Sequence, residues 1–102
     1  MRLPLGKADL REGHLRGVAA GGRLVLLARH GGRLFALDDT CNHSGCLLSG
    51  GKLAGALVRC PCHAMEFDVR TGELVSVPRL CEDQRSYPVT VEDGEAFAEV
   101  PE

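Results

Sequence analysis

A chain of 102 residues has the length of one domain and can bury a core of its own. Twelve Lys and Arg against fourteen Asp and Glu leave a formal charge of −2, with no basic stripe to follow a phosphate backbone, so nucleic acid is not an expected partner. Thirteen Gly beside three Phe, one Tyr and no Trp point to tight turns between short apolar runs, and hence to small β-structure.

Met1 to Gly6 does not read as a secretory signal, because Pro4, Lys7 and Asp9 interrupt any apolar h-region. Leu3 to Gly6 reads as an edge strand, and Ala8 to Gly13 as a polar connection with room for one helical turn. Val18 to Ala20 leads through Gly21-Gly22 into Arg23 to Arg29, and His30-Gly31-Gly32 feeds Arg33 to Leu37. Apolar runs joined by Gly-Gly are β-hairpins. The longest apolar run, Leu24 to Ala28, is far too short to span a bilayer, so a cytoplasmic protein without a membrane anchor is expected.

Asp38 to Thr40 then deliver the chain to a first loop, Cys41-Asn42-His43-Ser44-Gly45-Cys46. A glycine-studded connection, Leu47 to Gly55, precedes a short strand, Ala56 to Arg59, and a second loop, Cys60-Pro61-Cys62-His63-Ala64. Glu66 to Val69 alternates with period two and turns through Arg70 to Glu73 into Leu74 to Val77, a further hairpin. Pro78 bends the chain away, and a polar stretch runs from Glu82 to Ser86. Tyr87 to Val91 and Ala96 to Val100, joined by the turn Glu92 to Glu95, close the domain; Pro88 suits an edge strand. No repeat, linker or second domain is visible. Asp38-Asp39 and Glu92 to Glu95 read as solvated charges beside turns, and His14 and His30 as surface residues.

Four of the five cysteines fall between Cys41 and His63, and in a cytosolic chain such cysteines indicate metal binding or catalysis more often than a disulfide framework. Cys41-x-His43 and Cys60-x-x-His63 are separated by sixteen residues. Two thiolates and two imidazoles, one of each from each loop, are what a two-iron centre needs when one iron is held by sulfur and the other by nitrogen. A structural zinc site uses the same donor atoms, but generally with C-x₂₋₄-C or H-x₃₋₅-H spacing, and C-x-H is neither. Ordinary core cysteines with surface histidines are the remaining account, and four ligand-type residues in two short loops make it a poor one.

These loops resemble those of the Rieske-type [2Fe–2S] proteins, and the flanks agree: Gly45, Leu48-Ser49-x-Gly51, Cys60-Pro61 and Phe67-Asp68-x-x-Thr71-Gly72. The resemblance covers about Asp39 to Gly72 at the level of motif. It implies an all-β fold, a small antiparallel β-sandwich or barrel forming one domain over residues 1–102, with a cluster-binding subdomain at about 39–77. It implies one [2Fe–2S] cluster, with Cys41 and Cys60 on the inner iron and His43 and His63 on the outer. Neutral imidazole in place of thiolate raises the potential, and coupling of reduction to protonation of the ring nitrogens would lower it again in alkali. Pro78 matches the proline loop that covers the cluster. Cys46 and Cys62 occupy the positions at which Rieske proteins of cytochrome bc-type complexes carry a disulfide between the loops.

The chain also departs from that pattern. High-potential members place a serine and a tyrosine where this chain has Met65 and Phe67, and Ala64 replaces a frequent glycine. Without those two hydroxyl donors the potential is expected in the low part of the Rieske range, roughly −150 to +100 mV. Cys81 has no evident partner and reads as a small buried residue. The function implied is that of a Rieske-type ferredoxin, a one-electron carrier and not an enzyme, since an oxygenase would need a second iron site with ligands this chain does not spare. Its expected partners are a flavin-dependent reductase and a terminal oxygenase or other redox protein. They would meet a monomer transiently at a tip formed by His43, Ser44, His63 and Ala64. The alternatives from other classes are a non-catalytic subunit of the same fold, a structural zinc module, or a redox sensor built on Cys46 and Cys62.

Overall fold

The run Leu24-Val25-Leu26-Leu27-Ala28 shows no alternation, and its place in the fold explains why. In the computed structural model, which describes residues 1–41, 45–62, 65–76 and 82–101, it lies in β3 (Arg23–His30), with Val25 to Ala28 all buried. Successive side chains of a strand point to opposite faces. Val25 and Leu27 therefore enter one hydrophobic core, while Leu26 and Ala28 enter another. A strand covered on both sides keeps no polar face.

β2 (Leu15–Ala20) and β4 (Arg33–Asp38) flank β3 antiparallel, through the two Gly-Gly turns expected. Gly21 and Gly22 have φ of 57° and 77°, the pair of positive values that a two-residue hairpin turn matched to strand twist requires. Leu26 faces Leu37 and Leu27 faces Ala36 across the ladder, so β4 continues the division between cores. The two-residue β8 (Ser86–Tyr87) completes a four-stranded sheet of order β2-β3-β4-β8.

One side of this sheet is covered by β1 (Arg2–Lys7), β10 (Glu95–Glu99) and β9 (Val89–Glu92), ordered β1-β10-β9. Leu3, Leu5, Ala96 and Ala98 meet Val25, Leu27 and Ala36 there in a core of small and branched side chains. The other side carries β5 (Lys52–Ala54), β6 (Leu57–Arg59) and β7 (Glu66–Asp68). Leu26, Ala28 and Leu37 pack there against Leu48, Val58, Phe67, Val69 and Leu74. All strand pairings between described residues are antiparallel, in a body of 39 × 29 × 19 Å. The all-β sandwich expected from the sequence is thus present, with β1 at a sheet edge.

Four local expectations need correction. No helical turn forms between Ala8 and Gly13; instead the Glu12 carboxylate accepts the backbone N–H groups of Gly31 (2.7 Å) and Gly32 (2.9 Å), tying the connection to the β3–β4 turn. The glycine-studded connection holds a 3₁₀ turn, Leu48–Gly50, and the strand β5. Tyr87 to Val91 is not one strand: Pro88 separates Tyr87, which pairs with β4, from Val89, which pairs with β10. After β7 the second hairpin arm is, among the described residues, a bridge between Phe67 and Leu74 flanked by backbone bonds from the Asp68 N–H to the Glu73 carbonyl and from the Val75 N–H to the Glu66 carbonyl, and the Glu66 N–H goes to the Ser76 hydroxyl (2.9 Å) in place of a ladder carbonyl. No helix among the described residues is long and apolar enough to cross a membrane.

Candidate metal centre

Each loop leaves the end of a strand and closes on itself in the same way. The Cys41 N–H donates to the Cys46 carbonyl (2.8 Å), and the Cys60 N–H donates to the Met65 carbonyl (2.7 Å), five residues on in both cases. Within the first loop the Gly45 N–H also reaches the Cys41 carbonyl (2.9 Å), and Thr40 bridges to Leu47 beneath it. Two matching five-residue closures bring Cys41 and Cys60 into one apolar cluster with Leu48, Met65 and Phe67. Their exposures are 2% and 1%, although both begin surface loops.

The other two cysteines of the loops behave differently. Cys46 and Cys62 form a disulfide, with Cα atoms 6.3 Å apart and a sequence separation of 16. The Cα distance lies inside the ordinary range for such bridges. Cys62 is exposed and Cys46 half-buried against the core, so the disulfide binds the loops together outside the two buried thiols. His43, Ser44, His63, Ala64, Pro78 and Cys81 lie outside the described residues.

Two buried polar side chains brace the first loop, and neither stands out in the sequence. Asp39, read as a solvated charge, is buried: its carboxylate accepts the Ser49 N–H (2.7 Å) and hydroxyl (2.6 Å), while its own carbonyl accepts the Leu48 N–H (2.7 Å). Gly17 of β2 lies against this pair, and a Cβ there would come within 2.6 Å of the Ser49 hydroxyl. Gln84, in the stretch read only as polar, is also buried and donates through Nε2 to the carbonyls of Asp38 (2.8 Å) and Thr40 (2.9 Å). Its backbone N–H donates to the Gly72 carbonyl (2.7 Å). One residue therefore connects the entry to the first loop with the turn that follows the second. Leu48-Ser49-x-Gly51 was the available signal for the Asp39 brace; a lone glutamine 46 residues from Asp38 gave none.

Glycine is required where backbones meet at this site. Gly72 has φ of 84°, and a Cβ on it would overlap the Gln84 carbonyl; one on Gly51 would overlap the carbonyl of Arg59, the residue before Cys60. Asp38 is engaged as well, accepting a hydrogen bond from the buried Tyr87 hydroxyl. Burial first, and that bond second, push the Tyr87 phenol above its usual pKa. Beyond β7, the Arg70 guanidinium hydrogen-bonds the Asp68 carboxylate and holds its pKa below the ordinary value.

A small antiparallel β-protein that closes two loops alike, buries one thiol in each and joins them by a disulfide is built to present a metal centre at one end. The chain belongs to the Rieske [2Fe-2S] domain family, which it matches over residues 4–88. It is 41% identical over 95 residues to the ferredoxin component of the p-cumate 2,3-dioxygenase system of Pseudomonas putida, covering 90% of this chain and 79% of that one. A ferredoxin of Sphingomonas yanoikuyae B1 superposes with a TM-score of 0.88 at 29% identity, over 99% of this chain and 100% of its own. A chain in the complex of reduced oxygenase and oxidized ferredoxin of carbazole 1,9a-dioxygenase superposes with a TM-score of 0.85 at 33% identity, over 95% and 91%.

Membership implies one Rieske-type [2Fe–2S] cluster. The described residues fit that group: among the described cysteines, Cys41 and Cys60 are the thiols left outside the disulfide, and both are buried in an apolar environment where the two loops begin. Met65 and Phe67 fill the same core, so no hydroxyl stands at either position.

Proposed function

We propose that this chain is a one-electron carrier of the Rieske ferredoxin type, an electron-transfer protein with no catalytic centre of its own. Cys41 and His43 from the first loop and Cys60 and His63 from the second are the residues that would hold the cluster, Pro78 its cover. When bound, a [2Fe–2S] cluster supplies one-electron chemistry, being reduced and reoxidised by a single electron. The observation that carries this reading is the burial of one thiol from each of two loops that close identically and are bridged by Cys46–Cys62.

The chain's own residues account for the rest. Leu48, Met65 and Phe67 exclude water from the side of the two thiols. The disulfide and the two loop closures hold the donors in fixed relation, so little rearrangement accompanies a change of charge. The absence of hydroxyl donors at Met65 and Phe67 leaves the reduced state less stabilised, which favours the low part of the Rieske potential range. Electrons would come from a flavin-dependent reductase and go to a terminal oxygenase or another redox protein, through transient docking at His43, Ser44, His63 and Ala64. The ferredoxin components of dioxygenase systems among its relatives, one of them seen with its oxygenase, support the oxygenase half of this pairing. The same reading makes the protein a cytoplasmic monomer, a single domain with residues 39–77 as its cluster-binding part.

An anaerobic potentiometric titration followed by visible absorption tests the proposal. A single transition fitting a one-electron Nernst curve is expected. A protein whose absorption does not respond to dithionite would overturn it.

A further inference from the structure

From Thr40 to Met65 the chain contains no Asp or Glu, and its only Lys and Arg are Lys52 and Arg59. These give +2, which leaves −4 for the rest of a chain whose formal charge is −2. The fold then sets the two cations side by side. β5 and β6 run antiparallel with Lys52 directly opposite Arg59, both exposed, and Arg59 immediately precedes Cys60.

Like charges facing each other across a strand pair are destabilising. Three arginines elsewhere meet carboxylates: Arg2 meets Glu92 and Glu99, Arg16 meets Asp9, and Arg70 meets Asp68. Among the described residues neither Lys52 nor Arg59 enters an ion pair, although Glu66 is the register partner of Arg59 on its other side. Apolar surface accompanies them, since Leu47, next to Cys46, is 42% exposed and Pro61, next to Cys60, is exposed.

We propose that Lys52 and Arg59 form the electrostatic part of the surface through which this protein docks, and that the partner it fits is a redox protein presenting an acidic face. The inference rests on the reading that electrons leave by the Cys41 and Cys60 loops, and adds the chemistry of the surface they leave towards. Charges screen over about 8 Å at physiological salt, so a partner close to the loops feels the local pair more than the net charge. At longer range a positive end on a negative body orients the molecule loops-first towards acid.

Small oxidants of opposite charge test this without a known partner. Dithionite-reduced protein, freed of excess reductant, is mixed in stopped flow with trianionic ferricyanide or with tricationic tris(phenanthroline)cobalt(III), each of which takes one electron from it. Between about 10 mM and about 200 mM salt, the ferricyanide rate should fall on the order of fivefold and the cobalt rate should rise. In Lys52→Gln/Arg59→Gln both slopes should reverse, as the net charge alone dictates. A wild-type ferricyanide rate that rises with salt, or slopes unchanged in the double variant, would overturn the docking inference and leave the carrier reading intact. Protein that takes up no electron from dithionite would remove the carrier reading, and this inference with it.

Discussion

The two cores of this protein are built on different principles, although β3 and β4 contribute to both. The core beneath β1, β10 and β9 is a lattice of Leu, Val and Ala alternating along regular hairpins, and Tyr87 is its one polar-tipped member. The core beneath the loops has shorter strands and two cysteines, and around it stand the buried Asp39 and Gln84 and glycines pressed against carbonyls. The first tolerates apolar substitutions that keep its volume and pattern. The second is specified residue by residue, because it must hold two loops in register with each other. Both regions contribute stability, but the difference assigns the geometry of the site to the second alone.

That division can be broken by substitution. Gly72→Ala should have the largest effect, about 4 kcal/mol, since it combines a strained φ with overlap on the Gln84 carbonyl. Thermal unfolding should show the loss, and the visible chromophore should disappear below the unfolding temperature. Leu27→Ala, in the other core, should cost about 3 kcal/mol, yet the protein that remains folded should keep a wild-type visible spectrum. If Leu27→Ala released iron as readily as Gly72→Ala, the two regions would not be separable.

Gln84→Leu is the finer instrument. It withdraws two N–H donors from the carbonyls of Asp38 and Thr40 and should cost about 2 kcal/mol in urea unfolding. Because Thr40 precedes Cys41, the variant should also lose iron to a chelator faster than wild type, by up to about thirtyfold if that whole energy is lost at the loop. Wild-type rates of iron loss would make Gln84 an ordinary core residue.

The smallest effects are those of pH. The Glu12 carboxyl is held low by the backbone N–H groups of Gly32 and Gly31, and that of Asp68 by Arg70. A carboxyl whose folded pKa is depressed adds stability above its unfolded pKa, and that stability is lost as pH falls through the folded one. The urea midpoint should therefore decline from about pH 5 downwards, and Arg70→Gln should flatten the decline. Tyr87 acts with the opposite sense: its folded pKa is raised, so stability should be lost as pH climbs beyond about 10.

How far the sequence speaks for each region follows from the same contrast. Hairpins around Gly21-Gly22 and Gly31-Gly32 are legible because turn chemistry and apolar runs are local signals, and so are the paired Cys/His loops. β5 was not legible, since three residues between glycines offer no period to read. The sequence suits Pro88 to an edge strand, but in the structure it stands between Tyr87 on one sheet and Val89 on the other, where its missing N–H costs no ladder bond. Asp39 and Gln84 look like any polar residues beside turns. Their burial follows from partners brought up by the fold, and only the tertiary structure supplies those.

The most direct test of the account is low-temperature EPR of the purified protein before and after dithionite. The oxidised protein should be silent, and the reduced protein should give a rhombic signal with average g of about 1.9, as expected for a two-iron cluster with imidazole ligands. No signal after reduction, with zinc found by metal analysis, would contradict it and make the Cys41 and Cys60 loops a structural clamp.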